Sequence, residues 1–71
     1  MDLKSKIKNL TDRDILIVQL LADDQRPADI VKQIPFVRKT IEKNILDLRE
    51  KFGLNTVGGL VALFYRNKLI K

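Results

Sequence analysis

The chain has 71 residues with 14 Lys+Arg against 9 Asp+Glu, a net charge of +5, an apolar fraction of 45%, and no His, Cys or Trp. That length holds one domain with a thin core, since only about 60% of the unfolded surface is buried at this size and the core supplies no more than roughly 3–5 kcal/mol. The missing residue types exclude a disulfide framework, a zinc cluster and a thiol nucleophile, and they remove the commonest acid/base and metal-ligating side chain.

Most enzyme chemistry is thereby excluded. The only serine, Ser5, lies in a charged run with nothing to activate it, and Asp23-Asp24 lacks the spaced oxygen ligands and turn glycine of a calcium loop. The expectation is a chain that is not an enzyme and binds no cofactor or metal. Its longest apolar stretch, Val57 to Tyr65, is far short of the roughly 20 residues that span a bilayer. The start, Met1-Asp2-Leu3-Lys4, has no apolar run behind its lysines, so it does not read as a signal peptide. A soluble, cytoplasmic protein is expected.

Residues 1–9 form a basic lead-in, with Lys4, Lys6 and Lys8 against Asp2, expected to be solvated and frayed. Residues 10–71 form the domain, and within it the acid lies early and the base late: residues 10–24 sum to −3 and residues 53–71 to +3. An excess of base favours polyanionic partners in general.

The first predicted helix spans about 11–22. Thr11 is its N-cap, with Asp14 three residues on in the capping-box position. Ile15, Leu16, Ile17, Val18, Leu20, Leu21 and Ala22 make it apolar around most of its circumference, so it is the centre of the core. A second helix spans about 27–34. Pro27 suits its first position, Ile30, Val31 and Ile34 form one face, and Pro35 stops it, because the residue before a proline avoids helical geometry. Two short helices separated by a tight break have the layout of a helix-turn-helix.

The third predicted helix, about 37–52, turns Val37, Ile41, Asn44, Ile45, Leu48 and Phe52 inward and Arg38, Lys39, Glu42, Lys43, Leu46, Arg49 and Glu50 outward, and Gly53 ends it. The plainer account of the outward charges is a solvated face laced by Lys43–Asp47 and Asp47–Lys51 pairs, worth about 0.3–0.5 kcal/mol each. The fourth helix, about 56–67 with Thr56 as cap, has Val57, Leu60, Val61 and Phe64 as a core stripe and a largely apolar far side. Gly58 and Ala62 form a smooth strip there, with Tyr65 below as an amphipathic anchor. Two occupants fit that strip: a second copy, giving a symmetric dimer through Gly58, Ala62 and Tyr65, or residues 1–9 folded over it. The dimer is the expectation.

The pattern resembles the C-terminal DNA-binding domain of LuxR/GerE-type bacterial transcription regulators, without gaps from Leu10 to Ile70. Leu10-Thr11, Arg13, Asp14 and Leu20-Leu21-Ala22 fit that family's opening, with Asp14 in place of its glutamate, and Ile30 fits its second helix. Thr40-Ile41, Ile45, Leu48, Lys51-Phe52-Gly53-Leu54, Val61 and Leu69-Ile70 fit its last two helices. Each piece is short; the specificity comes from the spacing over the whole stretch. The opening also looks like sigma-factor region 4, but the Lys51-Phe52-Gly53-Leu54 exit and the final helix favour the LuxR/GerE type.

The resemblance implies an all-α, four-helix, helix-turn-helix fold with helix three in the major groove and helix four dimerising, in the bacterial nucleoid. It places Glu42, Lys43 and Leu46 where members of the family commonly touch bases, and Thr40 near phosphates. The chain departs from the family where Glu42 replaces a lysine or arginine, Val37 a capping serine and Val57 an arginine; Pro27-Ala28 and Lys68 also replace family residues. Chemically, Glu42 can accept from cytosine N4, Lys43 can reach guanine O6/N7 and Leu46 can lie on a thymine methyl, while Arg26, Arg38, Lys39 and Arg49 supply charge for the phosphates. The simpler alternative for Glu42 is an ion pair with Lys39. The expected function is therefore a dimeric regulator of transcription that binds duplex DNA. The alternative is a protein-interaction module of the same fold, acting on another regulator or on RNA polymerase. Val37, Glu42 and Val57 favour the module; Lys39, Lys43 and Arg49 favour DNA.

Overall fold

A computed structural model describes residues 2–71, and every described element is helical: α1 (Leu3–Lys8), α2 (Asp12–Ala22), α3 (Pro27–Ile30), α4 (Arg38–Lys51) and α5 (Val57–Arg66). The fold is all-α with one element more than the four expected. The additional element is α1, where a frayed lead-in was expected. The Asp2 carboxylate accepts from the Ser5 N–H at 2.8 Å, and Lys6 and Lys8 occupy the last turn, where the helix dipole favours cations. Met1 lies outside the described residues. None of the α1 residues is buried, and the main packing contacts run α2–α5, α3–α4, α2–α4 and α4–α5. Gly58 and Tyr65 are exposed and Ala62 is half-buried, so residues 2–9 leave the two ends of that strip uncovered.

Helix α2 begins with the capping box expected of it: Thr11 Oγ1 accepts from the Asp14 N–H at 3.1 Å and Asp14 Oδ2 accepts from the Thr11 N–H at 3.0 Å. Ile17 and Val18 are fully buried, whereas Leu16 is exposed. The second helix is shorter than its pattern. It is α-helical only over Pro27–Ile30 and then continues in turns to Ile34, with Lys32 and Gln33 bonding three residues back, because Pro35 prevents the chain from extending a regular ladder. Ile30 and Ile34 nevertheless reach the core.

Helix α4 sets Ile41, Ile45 and Leu48 into the interior, and α5 adds Leu60 and Phe64. Phe52 meets Phe64 edge to face, ring centres 6.0 Å apart and planes at 81°, which joins the end of α4 to α5. Ile70, beyond α5, closes the base of the core. Two residues expected inside are not: Val37 is 67% exposed and Val57 37% exposed. Both sit at helix starts, Val37 as an extended N-cap residue and Val57 as the first helical residue, so their side chains leave the face that the next turn buries. Gly53 has φ +66° with no atom within 4 Å of where a Cβ would be, so glycine is needed there for its backbone freedom and not for space.

Candidate nucleic-acid interface

The orientation of α4 is fixed from behind. Ile41, Ile45 and Leu48 supply the apolar seam, and a polar tie is added beside it, in which Asn44 Nδ2 donates to Asp14 Oδ1 at 3.0 Å across to the start of α2. Asp14 thus serves the α2 cap with one oxygen and α4 with the other. Burial pushes its carboxyl up, but the Thr11 amide, the Asn44 amide, the Thr11 hydroxyl and Arg13 together outweigh that and hold it below its ordinary value of 3.8. Further along, the Arg13 guanidinium lies 4.9 Å from the centre of the Phe36 ring, which pins the segment leading into α4. Neither the Asn44 nor the Arg13 contact follows from the sequence pattern. Only the inward position of Asn44 signalled the first, since a buried amide needs a partner.

The outward face carries Lys39, Thr40, Glu42, Lys43 and Leu46, all exposed, with Leu46 at 47%. Arg38 and Glu42 are also exposed but not independent. Arg38 Nε donates to Glu42 Oε1 at 2.8 Å, one turn apart, so the partner of Glu42 is Arg38 and not Lys39. Among the described residues the ion pairs are this one and Arg26–Asp29, whose charged atoms are 3.7 Å apart. The Lys43–Asp47 and Asp47–Lys51 pairs are therefore not made, and the Lys51 ammonium lies 5.9 Å from the Phe52 ring centre instead. Lys39 and Lys43 remain as unpaired cations on the exposed face.

Arg49 behaves differently from the expected phosphate ligand. It is half-buried, and its guanidinium donates to the Asn55 carbonyl in the loop after α4, while its own carbonyl accepts from Leu54 N–H at 2.8 Å. Its Nε is buried without a partner. Arg49 is a fastener of the α4–α5 loop, and an outward helical position alone does not reveal that a long side chain folds back. Arg26 stands apart from α4, at the cap of α3, with its side chain 85% exposed and leaning on Asp29. Gly58, Ala62 and Tyr65 run along one side of α5: Gly58 and Tyr65 are exposed and Ala62 is half-buried.

Among the described residues, no helix is long and apolar enough to cross a membrane, and no group of three His, Cys, Asp or Glu side chains could hold a metal ion. Comparison with protein-family models, with curated proteins and with solved structures finds no match.

Proposed function

We propose that this chain is a helix-turn-helix regulator of transcription of the LuxR/GerE type, which binds duplex DNA in the bacterial nucleoid with α4 in the major groove and pairs as a dimer through α5. The observation that carries the reading is the outer face of α4, where Lys39, Lys43 and Leu46 stand free on a helix held rigidly from behind. A helix of 14 residues is about 21 Å long and fits a groove about 12 Å wide. Lys43 reaches guanine O6/N7, Leu46 lies against a thymine methyl, and Lys39, Thr40 and Arg26 meet phosphates. Arg38 meets a phosphate while steering Glu42, whose free oxygen accepts from cytosine N4. A two-fold dimer through Gly58, Ala62 and Tyr65 reads half-sites about 34 Å apart.

The test is selection of bound duplexes from a randomised pool, with the winning site titrated at two salt concentrations. A palindromic site held well above nonspecific affinity is expected. Binding without an enriched motif that vanishes with salt would mean that the net charge alone was responsible. For the dimer, ultracentrifugation of the wild type and of Ala62→Glu decides: persistent monomers, unchanged by the substitution, would remove it from the reading.

The protein-interaction module draws on a specific observation. Val37 stands 67% exposed at the start of α4 where no side chain caps the helix, Arg38 is neutralised by Glu42, and Arg49 is turned inward, so this face carries less free charge than its sequence suggests. Capture of another regulator or of RNA polymerase, with no enriched duplex, would favour it.

A further inference from the structure

Helices α2, α4 and α5 leave by one and the same backbone motif. In each, the N–H beyond a left-handed residue reaches a carbonyl five residues back: Gln25 to Leu20 at 3.0 Å, Leu54 to Arg49 at 2.8 Å and Leu69 to Phe64 at 2.9 Å. The left-handed residues are Asp24 (φ 66°), Gly53 (φ 66°) and Lys68 (φ 59°). Glycine is unstrained there and Asp tolerates the region through its short polar side chain, but lysine has neither advantage. Backbone strain of this sort gathers at functional sites, so the choice of Lys68 points to its surroundings.

Those surroundings are an open basin of about 700 Å³ lined by Tyr65, Arg66, Lys68, Ile70 and Lys71. Ile70, 5% exposed, is its apolar floor, and the Tyr65 ring, 65% exposed, is one wall. The rim is tied to α2, because Lys71 N–H donates to Gln19 Oε1 at 2.9 Å and Gln19 Nε2 donates back to the Lys71 carbonyl at 3.2 Å. Asp23 accepts from the same amide at 3.4 Å without pairing to Lys71. Among the described residues, none of the three cations makes an ion pair. We propose that this basin binds an acidic segment of a partner protein that carries an aromatic or leucine side chain between its carboxylates.

Charge complementarity and the exposed Tyr65 ring together select that occupant. A bare phosphate backbone would use the cations and leave the Tyr65 ring unfilled. Helices α2 and α5 pack on the side of α4 that holds Ile41, Ile45 and Leu48, so on the DNA reading a duplex lying on the outer face of α4 leaves the basin open. A second copy meeting α5 with α5 brings no carboxylate, since residues 53–71 contain no Asp or Glu.

The experiment titrates an Asp-Asp-Phe-Asp-Asp-Leu peptide into the isotope-labelled full chain and follows backbone amide shifts. Saturable shifts at Tyr65, Lys68 and Ile70 are expected, and Lys68→Gly should weaken binding by about two- to fivefold, the scale of one exposed charge pair. The same Lys68→Gly chain should melt at a higher temperature, because strain is relieved. Loss of affinity with a gain in stability cannot come from misfolding. Equal binding of oligo-aspartate, shifts centred on Lys39 and Lys43, or unchanged affinity in Lys68→Gly would each overturn the proposal. Saturable shifts of the basin with oligothymidylate would overturn it in favour of nucleic acid. None of these outcomes depends on whether an enriched duplex is found, so the peptide site and the DNA reading fail separately. The peptide and an α5 dimer share Tyr65, and peptide binding that persists unchanged at concentrations where the chain dimerises would take Tyr65 out of the dimer contact.

Discussion

Helix α4 turns Ile41, Ile45 and Leu48 into the core and presents Lys39, Lys43 and Glu50 outside, whereas α5 buries Leu60 and Phe64 and presents Gly58, Ala62 and Tyr65. The inner seams are alike; the outer faces are opposites. A helix with long charged side chains outside has satisfied its packing with the core alone and is free to meet a polar surface. One with small residues outside can be approached closely by another backbone, which is a surface for packing. The same small core therefore supports two surfaces that suit partners of different kinds.

The sharpest way to break this division is to attack inside and outside separately. Phe64→Ala removes a fully buried ring that also holds Phe52, and a loss of about 3–5 kcal/mol is expected, as much as the whole core of a domain this size supplies. Leu46→Ala, on the outer face of α4, should change stability by no more than about 0.5 kcal/mol. Thermal melts followed by circular dichroism compare the two. A large loss from Leu46→Ala would show that the outer face of α4 is part of the core after all.

Next in size, on the proposed DNA reading, is a division of labour within α4. Lys43→Ala should cost about 1–3 kcal/mol at one base position of a selected site and relax the preference there. Lys39→Ala should weaken all duplexes alike and reduce the salt slope by about one. Titrations of both variants against matched and mismatched duplexes at two salt concentrations separate these outcomes. Equal loss from both with no change in preference would argue against direct reading of bases by Lys43.

How far the sequence discloses these surfaces depends on what each residue touches. The three long helices were legible because a cap and an apolar period are local properties: Thr11 with Asp14, Thr56, and the Ile41–Ile45–Leu48 spacing need no knowledge of the rest of the chain. The exposure of Lys39, Lys43 and Leu46 follows from the same period. The fate of Arg49 does not, since whether a guanidinium points outward or folds onto the Asn55 carbonyl depends on a loop whose path is set by Gly53 and α5. The link from Asn44 to Asp14 and that from Gln19 to Lys71 join residues 30 and 52 positions apart, which no periodicity encodes. Helix α1 is hidden in the sequence because three lysines dominate its composition, although Asp2 at its cap and lysines at its end are both stabilising.

The tie behind α4 gives a pH signature. Asp14 has its folded value lowered from 3.8, so its contribution to stability is complete above the unfolded value and is lost as pH falls through the lower folded one. Asp14→Asn, which cannot serve the Thr11 and Asn44 donors together in the same way, should cost about 1 kcal/mol at neutral pH, the usual scale for losing a cap. It should also flatten the acid side of the curve of melting temperature against pH. An acid limb identical in the two proteins would assign the pH dependence to other carboxylates.

The smallest effect tests the α5 side of the comparison. Gly58 is helical and exposed, and a Cβ added there would meet only Thr56 Oγ1, at 3.8 Å. Gly58→Ala should therefore stabilise the monomer by about 0.4–1 kcal/mol, since it removes freedom from the unfolded chain without strain in the folded one. If a second backbone packs on the strip, the same methyl must weaken self-association, because close approach requires the absence of a side chain. The melting temperature extrapolated to low concentration and the dissociation constant from ultracentrifugation both rise in that case. A rise in both stability and association would place the partner of α5 elsewhere than on Gly58 and Ala62, leaving the small residues as a simple exposed face.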